Sequence, residues 1–241
     1  MISIVIPTKN ESAAIEATLK NIKDGLKNIP YEIIVSDGGS TDATQAIAAR
    51  YAKEVVVYSG TMRQKISQGK NDGAKKASGE FLVFIDADVI VPSPDAFFRK
   101  ALEDFARDPK LVALGSRIRV LPELERFSDH FFRGFHNFFN AFMNNILRFG
   151  TGSGEFQMVR ADAFRKIGGF DEHIVASEDH DLFHRLAKIG HTRYDTSLTV
   201  FEEGRRARAV GWPRLMLVWL ANGIAVALFK RSVSKEWKEV R

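Results

Sequence analysis

Two aspartates one residue apart, Asp86 and Asp88, close the apolar run Phe81-Leu82-Val83-Phe84-Ile85. Hard carboxylate oxygens at this spacing suit Mg²⁺ or Mn²⁺, and an ion so held can take diphosphate oxygens as further ligands. A solvated turn after a strand has the same composition, so the pair gains meaning only from what surrounds it. A second acidic group, Glu178-Asp179-His180-Asp181, directly precedes Leu182, Leu186 and Ile189, which recur at helical spacing. A carboxylate at Asp179 can take a proton as general base, and the same position suits a helix N-cap. Crowding among Glu178, Asp179 and Asp181 favours protonation of one of them. Asp181 and Arg185 stand at i,i+4 and are expected to pair on the helix.

Other residues of useful chemistry lie before and after these. Asp37 opens Asp37-Gly38-Gly39-Ser40-Thr41-Asp42 and either binds a ligand or forms the turn. Glu11 follows Pro7-Thr8-Lys9-Asn10 and either faces that ligand or starts a helix through its dipole. Gly152-Ser153-Gly154 permits close ligand approach or a lid, or is a plain turn. Arg205 and Arg206 follow Gly204, where a basic loop can close over a diphosphate.

The elements that must position these groups alternate. Ile2 to Ile6, Tyr31 to Val35, Val55 to Tyr58 and Phe81 to Ile85 are expected strands. Helices are expected over 11–28, from the Asp42 turn to about Ala52, and over 69–78. Short strand–helix connections predict an α/β domain with a largely parallel sheet and right-handed crossovers. Ligands of such sheets sit beyond the carboxyl ends of the strands, where Pro7, Asp37 and Asp86 all fall. Residues 111–121 and Phe156 to Arg160 are expected strands, and 161–167 a short helix before Gly168-Gly169.

Eight of the nineteen phenylalanines lie between Phe127 and Phe149, mostly at helical spacing. They predict either a helix packed on the sheet or an amphipathic helix in a membrane interface. Residues 1–200 carry 26 residues of each charge sign, so the net charge of +5 comes from the stretch after them. A neutral body with a basic end that also holds the apolar run Leu215 to Phe229 suits an anionic membrane surface better than nucleic acid. That run is expected to lie in the interface rather than to span. The boundary is placed near 204, giving a domain over 1–204 and a membrane-associating tail over 205–241. The chain has no cysteine, which excludes disulfides, thiolate metal sites and a cysteine nucleophile. No basic region precedes an apolar stretch at the N-terminus, so no signal peptide is expected. The expected location is the cytosolic face of a membrane.

Taken in order, several motifs resemble those of the family-2 glycosyltransferases. They are Val5 to Glu11, Ile34 to Asp42, Lys70-Asn71, Ser78-Gly79-Glu80, Asp86-Ala87-Asp88, Gly168 to Glu172, and Glu178 to Leu182 with Arg185. The resemblance covers roughly residues 2–190. It implies a GT-A fold, an α/β nucleotide-diphospho-sugar transferase sheet, carrying an inverting enzyme. By position, Pro7, Thr8 and Glu11 would border the nucleoside, and Asp37 would hold the base, commonly uracil. Lys70 and Asn71 would lie near phosphate. Asp86, Ala87 and Asp88 would face the ribose and diphosphate, with Asp86 and Asp88 on Mg²⁺ or Mn²⁺. Asp179 would be the general base, and Glu178, Arg205 and Arg206 are candidates for phosphate or acceptor contacts. Lys70 replaces the usual Arg and loses its forked pairing. The Gln-x-x-Arg-Trp signature of processive synthases is absent, which implies transfer of one sugar per event. The expected function is therefore transfer from a UDP-sugar, or a GDP-sugar, to a lipid-linked acceptor. Rival readings are a sugar-phosphate nucleotidyltransferase and a non-catalytic nucleotide-sugar-binding scaffold at a membrane.

Overall fold

The computed structural model describes residues 1–236; positions 237–241 of the expected tail lie outside the described residues. One seven-stranded sheet organises the chain, with β1 (Ile2–Thr8), β2 (Tyr31–Asp37), β3 (Glu54–Val57), β4 (Phe81–Ile85), β5 (Leu111–Val120), β6 (Phe156–Arg160) and β7 (His191–Glu202). Its order is β3-β2-β1-β4-β6-β5-β7. All neighbouring pairs run parallel except those made by β6, which is antiparallel to β4 and β5. The resulting sheet is mixed, as the GT-A expectation requires.

Apolar runs without alternation make central strands, because both faces are covered. Along β1, Ile4 and Ile6 enter one core layer while Val5 enters the other. Along β4, Val83 and Ile85 divide in the same way from Leu82 and Phe84. Helices α1 (Ile15–Gly25) and α4 (Pro94–Arg107) cover the first face, and Ile15, Leu19, Ile22, Phe97 and Phe98 are buried there. The opposite face is closed by α6 (Ala161–Lys166) and α7 (Glu178–Ala187), which bury Phe164, Leu182, Phe183 and Leu186. The short α2 (Thr44–Ala48) and α3 (Ile66–Lys76) complete the crossovers. Strand β7 has no counterpart among the sequence expectations, because only alternate residues along it are buried and its composition is polar.

Helix α5 (Phe127–Ala141), continued by a π-helical turn over Phe142–Ile146, is amphipathic in the reverse sense from a core helix. Its buried positions are Asp129, Arg133, Asn137 and Asn140, with Asn144 continuing them, while Phe127, Phe131, Phe135 and Phe138 are exposed. Each inward polar group has work: Asn137 exchanges hydrogen bonds with the backbone of Ile118, and Asp129 accepts one from Trp212 Nε1 at 2.7 Å. The phenylalanine stripe therefore does not pack on the sheet.

After Gly204 the chain forms α8 (Arg205–Val210) and α9 (Trp212–Phe229) and folds back over the carboxyl ends of the strands. Trp212, Leu215, Asn222 and Val226 make the buried face of α9, and Leu217, Leu220, Ile224 and Leu228 stay exposed. Ser232 then accepts hydrogen bonds from the amides of Val175 and Ala176, fixing the end of this segment over the loop before α7.

Candidate active site

A cavity of about 540 Å³ opens where β1, β2 and β4 end. Pro7, Thr8, Glu11, Asp86, Ala87, Asp88, Glu178, Asp179, Arg205 and Arg206 all line it, so residues from both halves of the chain converge. Asp37, Lys70 and Asn71 do not line it, and each does something else.

Asp37 is fully buried at the end of β2. Its Oδ1 accepts hydrogen bonds from the amides of Gly39 and Ser40 and from Gln45 Nε2, and Oδ2 accepts the Ser40 hydroxyl. Both oxygens are spent on shaping the turn that forms the cavity floor. Asn71 clamps a distant loop: Oδ1 accepts from the Phe170 amide at 2.9 Å, and Nδ2 donates to the Phe170 carbonyl and to Glu172. Gly169, at φ +74°, must be glycine here, since a Cβ would stand 2.7 Å from Asn71 Oδ1.

Lys70, expected near phosphate, has no exposed surface and sits beneath the acidic cluster. Its Nζ lies 2.6 Å from Asp179 Oδ1 and 3.3 Å from Glu178 Oε1, and 5.0 Å from the centre of the Phe170 ring. Burial works against its charge, but Asp179, Glu178 and Asp86 more than offset it and raise the ammonium pKa. Lys70 is thus the counter-ion of the carboxylates, placed by α3, and the forked geometry of arginine is not needed for a single point charge.

Asp179 is the second residue of α7, and Ser177, at φ +67°, precedes the helix. Asp179 is not the N-cap. Its Oδ1 accepts from Lys70 and from Gln157 Nε2 at 2.5 Å, which fixes the carboxylate and leaves Oδ2 for the cavity. Gly154 explains why a glycine loop runs here: a Cβ on it would lie 3.1 Å from Asp179 Oδ2 and 3.5 Å from Asp86 Oδ2. The two carboxylates border the same gap. Beside them, burial and the neighbouring Asp179 push the Glu178 carboxyl up to about 7, against the pull of Lys70.

Burial also drives the Asp86 carboxyl well above the carboxylate range; Lys70 opposes this, while Asp88, Glu155 and Asp179 add to it. Such crowding suits a cation beside Asp86. Among the described residues no three His, Asp or Glu side chains form a ready-made cage. Two carboxylates with open positions fit Mg²⁺ or Mn²⁺, ions that complete their shell with water and substrate phosphate. Asp88 is engaged by Arg205, whose Nη2 lies 2.8 Å from Asp88 Oδ2 and 2.9 Å from Glu11 Oε2. Glu11 itself is raised by burial despite that arginine. Thr8 Oγ1 and Ser36 Oγ, at the ends of β1 and β2, are buried without hydrogen-bond partners among the described residues.

Several functional candidates were not legible in the sequence. Gln157 on β6, with Lys70, holds Asp179 from 22 residues away. Arg133, His136 and Glu155 line the cavity, as does Trp219. The available signal for Arg133 was its place in a polar stripe, at i+4 from Asp129 and i−4 from Asn137, on a helix otherwise rich in phenylalanine.

Residues 3–168 match the family model described as glycosyl transferase family 2. Over 215 residues the chain is 28% identical to succinoglycan biosynthesis protein ExoA of Rhizobium meliloti (strain 1021), covering 86% of this chain and 64% of that protein. It is 32% identical over 120 residues to dolichol-phosphate mannosyltransferase of Pyrococcus furiosus, covering 48% of this chain and 33% of that one. The chain thus spans less than two thirds of the length of these relatives. Among solved structures, mannosyltransferase PcManGT from Pyrobaculum calidifontis, in complex with GDP-Man and Mn²⁺, superposes with a TM-score of 0.72. That match has 22% identity over 93% of this chain and 61% of the other, and it shows a shared GT-A fold. With the family matched over most of its length and the fold shared, the chain belongs to glycosyl transferase family 2.

Proposed function

We propose that the protein transfers one sugar from a nucleoside diphosphate donor, UDP-linked or GDP-linked, to an acceptor at a membrane surface, with inversion at the anomeric carbon. The observation that carries this reading is the pairing of Asp179 Oδ2 and Asp86 Oδ2 across Gly154. In an inverting transfer the acceptor oxygen bonds to the anomeric carbon as the bond from that carbon to the diphosphate breaks. The bonding pair leaves with the nucleoside diphosphate, and the acceptor proton passes to Asp179 Oδ2. A divalent cation, held by Asp86 and Asp88, would stabilise the charge that develops on the leaving diphosphate. Lys70 and Gln157 keep Asp179 Oδ1 occupied and so orient Oδ2.

The test is a hydrolysis screen of UDP- and GDP-sugars with Mg²⁺ or Mn²⁺. Release of UDP or GDP from at least one sugar, abolished by EDTA and restored by excess metal, is the expected result. Pyrophosphate formed from UTP and a sugar 1-phosphate, with no nucleotide-sugar cleaved, would make the protein a nucleotidyltransferase instead.

The membrane part rests on α5 and α9, adjacent helices that each turn an apolar face to solvent. Phe127 is 87% exposed and Phe138 68%. Leaving such rings in water costs about 1.5–3 kcal/mol each relative to burial. Helix α9 is long and apolar enough to cross a bilayer by length and composition. Its inner face is committed to the domain, so we read it as lying in the cytosolic interface. Flotation with anionic liposomes at low salt is expected to carry the protein upward. Phe131→Asp combined with Phe138→Asp should reduce partitioning roughly 10²–10⁴-fold. A wild-type protein that stays in the soluble fraction would end the membrane reading.

A further inference from the structure

We propose that the part of the cavity between α5 and α9 seats a neutral saccharide, so that the attacking group is a sugar hydroxyl and not a phosphate oxygen. This deepens the transferase reading above and rests on it. Arg133 is 5% exposed and lines the cavity, yet its Nη1 has no hydrogen-bond partner among the described residues. His136, His180 and Ser153 line the same cavity, and their Nδ1, Nδ1 and Oγ atoms are likewise buried without partners among the described residues. Each such group costs about 1–3 kcal/mol when left unpaired, so four around one cavity call for an occupant rich in hydroxyls. Trp219 supplies an apolar wall, its ring 5.3 Å from that of His136 and 5.6 Å from the Arg133 guanidinium. A pyranose ring offers both kinds of surface: C–H faces for the aromatic wall and hydroxyls for the polar groups.

Charge separates a sugar from a phosphate. Arg133 is already matched by two acids, with Nη2 2.7 Å from Glu155 Oε1 and Nε 3.1 Å from Glu202 Oε1. Burial and the adjacent Arg133 hold His136 down at about 3, and burial lowers His180, so both rings are neutral at pH 7. Arg206, half-buried, is offset by the charges of Asp86, Glu155 and Asp88. The charge at Arg133 is therefore already balanced, and a phosphate placed against it would meet Glu155 and Glu202. In the transfer itself the sugar hydroxyl oxygen bonds to the donor's anomeric carbon. Its proton goes to Asp179 Oδ2, and the electron pair of the broken bond leaves on the diphosphate.

The experiment uses the full chain in lipid nanodiscs, free of sugar detergents. Octyl β-glucoside, β-galactoside and β-mannoside are titrated by calorimetry against octyl phosphate, all below their micelle concentrations. At least one glycoside is expected to bind saturably and at least tenfold more tightly than octyl phosphate. Trp219→Leu or His136→Leu, whichever retains the wild-type thermal midpoint, is expected to weaken that glycoside at least tenfold. Octyl phosphate binding as tightly as any glycoside, no saturable glycoside binding, or folded variants of wild-type affinity would each overturn the proposal. The two readings fail separately. Glycoside binding without cleavage of any nucleotide-sugar keeps the seat and removes the transferase, and cleavage without glycoside binding does the reverse.

Discussion

Asp179→Asn should lower turnover by about 10²–10⁴-fold while UDP or GDP binding stays within about twofold of wild type. The substitution keeps the shape of the side chain, and the amide oxygen can still accept from Lys70 and Gln157, which hold this position in the native protein. What it removes is the capacity of the second oxygen to take a proton. An effect confined to the chemical step leaves the ground-state complex intact, so kcat falls and KM changes little. Single-turnover product formation and calorimetric nucleotide binding together make the check. Unchanged turnover would remove Asp179 from the role of base and leave Glu178, whose carboxyl is raised to about 7, as the remaining candidate in that cluster.

The second large effect is on stability. Lys70→Met should destabilise the fold by about 3–5 kcal/mol, the usual cost of removing one partner from a buried ion pair. For a chain of this size that is roughly a 6–20 °C drop in thermal midpoint. The cause is not lost attraction alone. Without Lys70, Glu178 and Asp179 remain as neighbouring carboxylates, and Glu178 is buried. Adding Glu178→Gln to Lys70→Met should therefore recover part of the loss. A fully additive double variant would show that the two residues do not interact. The pH dependence follows from the same group. Glu178 has a folded pKa raised from 4.5 to about 7, so its stabilising contribution is complete below 4.5 and disappears as pH climbs through 7. Glu178→Gln should flatten the stability profile over that interval, measured by denaturant unfolding at several pH values.

Much of the nucleotide half was legible because its signals are local. Apolar runs ending on Pro7-Thr8, Asp37 and Asp86 marked parallel strands, and the crevice beyond them follows from sheet topology alone. The place of Lys70 beneath the acidic cluster was not legible because its partners come from a helix 108 and 109 residues away, and spacing along the chain carries no record of such a meeting. For Asp37 the sequence offered both a ligand group and a turn former, and the hydrogen bonds within its own turn realise the second. The stripe on α5 illustrates a different limit. Periodicity reveals that one side of a helix is apolar, but not whether protein or something else will cover it. The buried asparagines and Arg133 decide that question, and they do so only once Ile118, Glu155 and Glu202 are in place around them.

That reversed helix has a geometrical consequence. The same two turns of α5 send Phe131 and Phe135 outward and Arg133 and His136 into the cavity. With the phenylalanine face seated in a bilayer as proposed, the thickness of one helix, about 10–12 Å with its side chains, would separate the lipid from the part of the cavity lined by Arg133 and His136. The helix then acts as a depth gauge. It would favour acceptors whose reactive group stands about that far above the hydrocarbon over those held closer or farther out.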